Sequence, residues 1–194
     1  MEHKHNNTAY RRVSKRDRVI MTLLTIGLAI VALRPFVAFQ SFNRAYSFSE
    51  NQMYNKAITH YRRAILLDPK FSTAHSYLAY CYNKTEQIEQ AIASYQRAIE
   101  LNPKDKQAHL ELGLIHYNQK EYTKAIIHLD QVAKIDPQDV STRVLLAECH
   151  ERIGQKEKAY SVWKEILTIT PIMIPPRGPW KDLKDRRMGR IRKE

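Results

Sequence analysis

Eight histidines and two cysteines are the side chains of this sequence best suited to metal binding, and the two cysteines are also its only means of forming a disulfide. Their spacing gives them a different origin. His75 and His109 stand 34 residues apart, as do His116 and His150, while His60 and His128, like Cys81 and Cys149, stand 68 apart. Residues that recur at one interval occupy equivalent places in copies of one unit. Such pairs are expected as inherited core or hairpin-surface positions rather than as ligands converging at about 2 Å on one ion. No HExxH spacing is present, and His3 and His5 belong to a solvated terminus. Two copies of separation should hold Cys81 and Cys149 beyond the roughly 7 Å that a disulfide tolerates, so both are expected as buried, small apolar residues. With only five glycines there is little material for a phosphate-cradling loop, and no GxSxG elbow or kinase signature occurs. Scattered Glu and Lys fit solvated i,i+4 neighbours on helix faces better than acid–base pairs. No catalysis, metal or cofactor is expected.

The interval of 34 residues governs more than the histidines. Pro69, Pro103, Pro137 and Pro171 follow it, and so do Ala57, Ala91, Ala125 and Ala159. Apolar residues from Ala91 through Ile92, Tyr95 and Ala98 to Ile99 draw one stripe of a helix. Asp68-Pro69, Asn102-Pro103 and Asp136-Pro137 end such helices, because proline lacks a backbone donor and disfavours helix in the residue before it. One hairpin of this length cannot bury its own stripe, whereas stacked hairpins share a continuous core. The expected fold is all-α, a solenoid of helix-turn-helix units.

The pattern resembles the tetratricopeptide repeat (TPR) family. Read from Ala38 in steps of 34, the small slot on the first helix holds Ala45, Ala79, Gly113 and Ala147; the large slot on the second holds Tyr61, Tyr95, Leu129 and Trp163; and the slot after it holds Ala64, Ala98, Val132 and Ile166. The family's early Trp slot departs from the pattern, with Ser41, His75, His109 and Arg143, and Arg44 replaces an expected Leu. The resemblance implies four repeats over residues 38–171, at about 38–71, 72–105, 106–139 and 140–171. It also implies a concave face built from the first helix of each repeat, which binds a protein or peptide partner. Its lining slots fall on Phe42, Tyr46, Ser49 and Glu50; Ser76, Tyr80, Asn83 and Lys84; Leu110, Leu114, Tyr117 and Asn118; and Val144, Glu148, Glu151 and Arg152. The family's carboxylate clamp is missing, its slots being Phe42, Tyr46, Tyr80, Gln107 and Glu111. The groove is therefore expected to take an extended or helical segment with apolar anchors, and basic residues near Glu148 and Glu151. The alternative is that Tyr46, Tyr80 and Tyr117 only cover the core between repeats.

The net charge of +12 does not make this a nucleic-acid groove, because residues 41–171 carry 17 Lys/Arg against 15 Asp/Glu. The excess lies at the ends, with six basic and two acidic residues in 1–18 and seven basic and three acidic in 180–194. Between the basic segment 1–18 and the repeats, Val19 to Leu33 carry no charge, and Phe36 to Phe39 extend the run after Arg34-Pro35. As one helix, residues 19–39 would reach about 31 Å, enough for a hydrocarbon core of about 30 Å with Arg34 snorkelling to the interface. No small-x-small site follows Leu33, which favours an uncleaved membrane anchor over a cleaved secretory signal, and both over a buried soluble helix. Lys4, Arg11, Arg12, Lys15, Arg16 and Arg18 would hold the amino terminus in the cytoplasm and put the repeats on the trans side, in a bacterium the periplasm. A mitochondrial outer-membrane receptor would oppose that charge rule.

Pro175, Pro176, Gly178 and Pro179 open a tail, residues 172–194, in which Trp180, Leu183 and Ile191 share one helical sector among basic residues. It reads either as a surface for anionic lipid or an acidic partner, or as a disordered solubilising end. Two functions remain. One is a membrane-tethered adaptor or scaffold recruiting protein partners in secretion, pilus or organelle-membrane organisation, or in a chaperone-like role. The other is a self-assembling structural protein whose open solenoid ends stack into oligomers or a lattice.

Overall fold

The computed structural model describes residues 14–171, all-helical apart from short turns. Its helices are α1 (Lys15–Glu50), α2 (Tyr54–Leu67), α3 (Ser72–Lys84), α4 (Ile88–Leu101), α5 (Lys106–Asn118), α6 (Tyr122–Ile135), α7 (Val140–Arg152) and α8 (Lys156–Ile169). Each packs against the next in the chain, and α1 to α3 and α3 to α5 also meet across the solenoid. This is the arrangement of four stacked hairpins. The basic segment 1–18 lies largely, and the tail 172–194 wholly, outside the described residues.

Two recurrent turns set the register. Within each hairpin the chain passes through the left-handed region at Gln52 (φ 59°), Glu86 (φ 61°), Lys120 (φ 61°) and Gly154 (φ 77°), 34 residues apart. The next N–H then reaches back five residues to close the helix end: Met53 to Phe48, Gln87 to Tyr82, Glu121 to His116 and Gln155 to His150, at 2.8–2.9 Å. Between hairpins, the side chains of Asp68, Asn102 and Asp136 accept from the backbone two residues on, turning the chain at each Asx-Pro pair. Asp105 and Asp139 then cap α5 and α7 by accepting from the N–H of Ala108 (3.0 Å) and Thr142 (3.1 Å).

The core follows the repeat slots. Ala45, Ala79 and Ala147 are fully buried, and a Cβ added at Gly113 would fall 2.8 Å from Leu129 Cδ2, so this slot fixes how closely paired helices approach. Tyr61, Tyr95, Leu129 and Trp163 are buried opposite, each in the cluster between its hairpin and a neighbouring helix. Cys81 and Cys149 are buried free thiols, pushed up to about 12 and about 11 by loss of solvation.

Helix α1 has two unlike halves. Its buried residues are Ala38, Ser41, Ala45 and Ser49, all in the half that pairs with α2. Towards the amino terminus, large apolar side chains from Val19 to Phe36 are 53–69% exposed. This half is long and apolar enough to cross a membrane, with a mean hydropathy of 2.1 over its best 18 residues. A capping box of Ser14 and Asp17 starts the helix, which continues through Arg34 and Pro35 without a break. The proline removes one backbone bond there but does not separate the apolar half from the first repeat.

Candidate partner-binding groove

Helices α1, α3 and α5 frame a groove of about 820 Å³ at the first two repeats, with the α4–α5 turn at one rim. Of the residues expected from sequence, Tyr46, Ser76 and Tyr80 line it, together with Ser49, Glu50 and Gln107. Tyr46 is 39% exposed and meets Tyr77 edge-on at 5.5 Å. The Glu50 carboxylate, ahead of the other causes, raises the Tyr46 pKa. Tyr80 meets Tyr54 edge-on at 6.2 Å, and the Lys84 ammonium lies 5.2 Å from its ring centroid. Partial burial, followed by Tyr54, raises the Tyr80 pKa.

The remaining expected residues lie elsewhere. Phe42 joins an aromatic cluster with Phe71 (5.0 Å), Tyr61 (5.5 Å) and Tyr77 (5.6 Å), where it seals the α1–α2–α3 junction. Asn83 is half-buried near the end of α3, outside the groove lining. Leu110, Tyr117 and Val144 pack on the core of the last two repeats, and Leu114 is half-buried on α5. Tyr117 donates to Glu148 Oε2 at 2.9 Å, and Trp163 Nε1 donates to Glu151 Oε1 at 3.0 Å. Both carboxylates expected to meet basic partner residues thus already accept an internal hydrogen bond.

Several lining residues escaped the sequence reading: Tyr54, Thr73, Tyr77, Tyr95, Lys104, Asp105 and Lys106. Ser76 donates to Asp105 Oδ2 at 2.5 Å, joining α3 to the start of α5. Lys106, also on the lining, is paired with Asp136 at 2.6 Å and Asp139 at 3.6 Å. This pairing raises its own pKa and lowers that of Asp136. Tyr95, 1% exposed, has a hydroxyl with no hydrogen-bond partner among the described residues. Its pKa is raised by burial and then by Glu111.

Three of the histidines, His109, His116 and His128, group within the α5–α6 hairpin. His109 Nε2 donates to the Pro103 carbonyl at 3.3 Å, so its Nδ1 accepts from His128 Nδ1, also at 3.3 Å. The His116 ring stacks on His128 at 5.8 Å, and its Nδ1 lies 2.8 Å from Glu121 Oε2. Burial, then His109 and His116, lowers the His128 pKa to about 4. Among the described residues, no three His, Cys, Asp or Glu side chains are arranged to hold a metal ion.

Three family models, each described as a tetratricopeptide repeat, match residues 41–71, 60–93 and 84–140. Among solved structures, YrrB, described as a TPR protein with an unusual peptide-binding site, is 19% identical with a TM-score of 0.64, and the match covers 69% of each chain. MamA is 20% identical with a TM-score of 0.64 over 80% of this chain and 94% of its own. The first TPR of Spaghetti (RPAP3), bound to the HSP90 peptide SRMEEVD, is 16% identical with a TM-score of 0.58 over 61% of this chain and 94% of its own. No curated protein matches the chain.

Proposed function

From the premise that this chain belongs to the tetratricopeptide repeat family, whose models together match residues 41–140, we propose that it is a membrane-anchored adaptor. Its groove binds a segment of a protein partner and holds that partner at the membrane. TPR proteins mediate protein–protein interaction, and two of the similar structures carry peptide sites in their descriptions. The observation that carries the reading is the groove itself, where Tyr46, Tyr54, Tyr77 and Tyr80 offer aromatic area beside Glu50 and Asp105. Tyrosine rings of this kind supply contact area at small conformational cost.

The peptide in the Spaghetti complex, SRMEEVD, is acidic. A carboxylate-gripping set of Lys, Asn and Arg is missing from this groove, where the clamp slots are Phe42, Tyr46, Tyr80, Gln107 and Glu111. An extended segment with apolar or basic side chains fits this lining better than an acidic terminus.

The apolar half of α1 supports anchoring, with residues 19–39 spanning the bilayer. The six basic residues of 1–18 support a cytoplasmic amino terminus with the repeats on the far side, facing the periplasm of a bacterial inner membrane. Photo-crosslinking from position 80 in intact cells tests the groove. Partner adducts should be lost when Tyr46→Ala and Tyr54→Ala are added, with helicity unchanged; adducts that persist would refute groove binding.

A further inference from the structure

A second groove, of about 490 Å³, opens among α2, α3 and α4 and shares no lining residue with the tyrosine-lined one. Ile65, Leu66, Leu78 and Tyr82 give it apolar area, Arg62 of α2 and Arg97 of α4 give it positive charge, and no acidic residue among the described ones lines it. Arg62 takes part in no ion pair among the described residues. Arg97 meets Glu100 Oε2 at 2.7 Å through one nitrogen and keeps about half of its side chain exposed. Leu66 is 81% exposed, more than any of the large apolar side chains of α1 from Val19 to Phe36. A bare leucine beside two arginines is complementary to a ligand that is anionic at one end and apolar at the other. Guanidinium is well suited to the anionic end, because its planar fork pairs with two phosphate oxygens.

Height above the bilayer identifies that ligand. Helices α1 and α2 run antiparallel about the turn at Gln52, so residues equally far from it stand level, Leu66 with Ala38 and Arg62 with Phe42. The packing agrees: the Phe42 ring lies 5.5 Å from Tyr61, and Ala38 and Ala64 are both buried. On the proposed anchoring the bilayer segment ends at Phe39, so Leu66 reaches the edge of the hydrocarbon. Arg62, about 4–5 Å further out, falls within a headgroup layer about 5–7 Å deep. We propose that this groove is a lipid site, in which Arg62 and Arg97 hold the phosphate of an anionic phospholipid from the leaflet where α1 leaves the bilayer, and Leu66 dips beside its acyl chains. Two positive charges with no lining carboxylate favour a lipid of net negative charge over a zwitterionic one. The proposal rests on α1 being the membrane anchor and adds a contact on the bilayer surface. One spanning helix leaves the array free to rotate about its axis, whereas a second contact on α2 and α4 fixes which side of the repeats faces the lipid.

The test places a photo-crosslinking residue at position 66 of the full-length protein, in nanodiscs of equal parts phosphatidylcholine and phosphatidylglycerol. Lipid adducts should form, with phosphatidylglycerol favoured at least about fivefold, the effect of one basic side chain near an anionic surface. Arg62→Gln/Arg97→Gln should bring the ratio of the two lipids close to one with helicity unchanged. Lys156→Gln/Lys158→Gln, which removes the same charge from the last hairpin, should leave the ratio as it was. Absence of lipid adducts, no preference between the lipids, or a preference that survives Arg62→Gln/Arg97→Gln overturns the proposal. Protein adducts in place of lipid adducts from position 66 in intact cells give the groove to an acidic segment of a partner and overturn it as well. A protein that carbonate strips from the membrane refutes the anchor and the lipid site together, whereas one that resists carbonate yet shows no lipid preference loses the lipid site alone.

Discussion

Three of the four hairpin turns force an L-amino acid into the left-handed region, and glycine at those positions should stabilise the array. Gln52, Glu86 and Lys120 have φ near 60°, whereas the equivalent Gly154 sits at 77° with nothing within 4 Å of where a Cβ would lie. A side chain in this conformation costs about 1–2 kcal/mol, and glycine gives back roughly 0.5–1 kcal/mol through its larger loss of chain freedom. Each substitution to glycine should therefore gain about 0.5–1 kcal/mol. The turns belong to different repeats and share no partner, so the gains should add to about 1.5–3 kcal/mol in Gln52→Gly/Glu86→Gly/Lys120→Gly. For a body of this size each kcal/mol moves the melting temperature by about 2–4 °C, giving a rise of roughly 3–12 °C by circular dichroism. Gly154→Ala should lose about 1 kcal/mol for the same reason. A triple variant that melts no higher than wild type, together with a neutral Gly154→Ala, would refute the assignment of strain to these turns.

Gly113→Ala should be strongly coupled to Leu129. Overpacking of about 1–3 kcal/mol from a Cβ at 2.8 Å should largely vanish when Leu129→Ala clears the space, so additive denaturation energies would contradict the contact. The pKa of His128 is lowered in the folded state to about 4 from an ordinary 6.5, so the unfolded chain binds more protons between those values. Its contribution is complete above about pH 6.5 and is lost as pH falls towards 4; His128→Gln should flatten urea midpoints across that window, and an unchanged slope would refute this. Replacing Leu28 with Arg and Ile30 with Asp at the middle of the apolar half costs roughly 5–7 kcal/mol of insertion and should move the protein from the carbonate-resistant pellet to the supernatant. Retention in the pellet would exclude anchoring by this segment.

Much of the fold was legible because its determinants are local and repeated. The Asx-Pro pairs mark where α2, α4 and α6 end, and the small slot of Ala45, Ala79, Gly113 and Ala147 marks the helix contacts. The left-handed turns were hidden because glycine, the usual signal, occupies only the fourth. Arg34-Pro35 interrupts the uncharged run but not the helix, because proline costs a helix one bond and α1 has many others to hold it. The histidine cluster depends on hairpin register, which brings His109 beside His128 across 19 residues, and the repeat interval says nothing about that pairing. Of the residues lining the groove, Tyr46, Ser49, Glu50, Ser76 and Tyr80 followed from their slots. Tyr95 did not, since the core slot it fills gives no sign that its lining reaches the groove.

The continuity of α1 bears on what the groove can hold. On the proposed anchoring, the bilayer segment ends at Phe39 and Tyr46 stands seven residues later on the same helix, a rise of about 10 Å. The tyrosine-lined groove belongs to the first two repeats, so it opens close to the membrane surface, with no flexible linker in α1 to lift it away. A folded domain, tens of ångströms across, would meet lipid headgroups before it reached Tyr80. An extended segment about 10 Å wide would not. Proximity therefore selects for a strand-like or single-helix partner, and basic side chains in it would be drawn both to Glu50 and to an anionic bilayer beside it. Inserting two helical turns after Phe39 should relax that selection, raising capture of globular partners while leaving peptide affinity unchanged. Identical partner sets before and after the insertion would mean that the membrane plays no part in the choice.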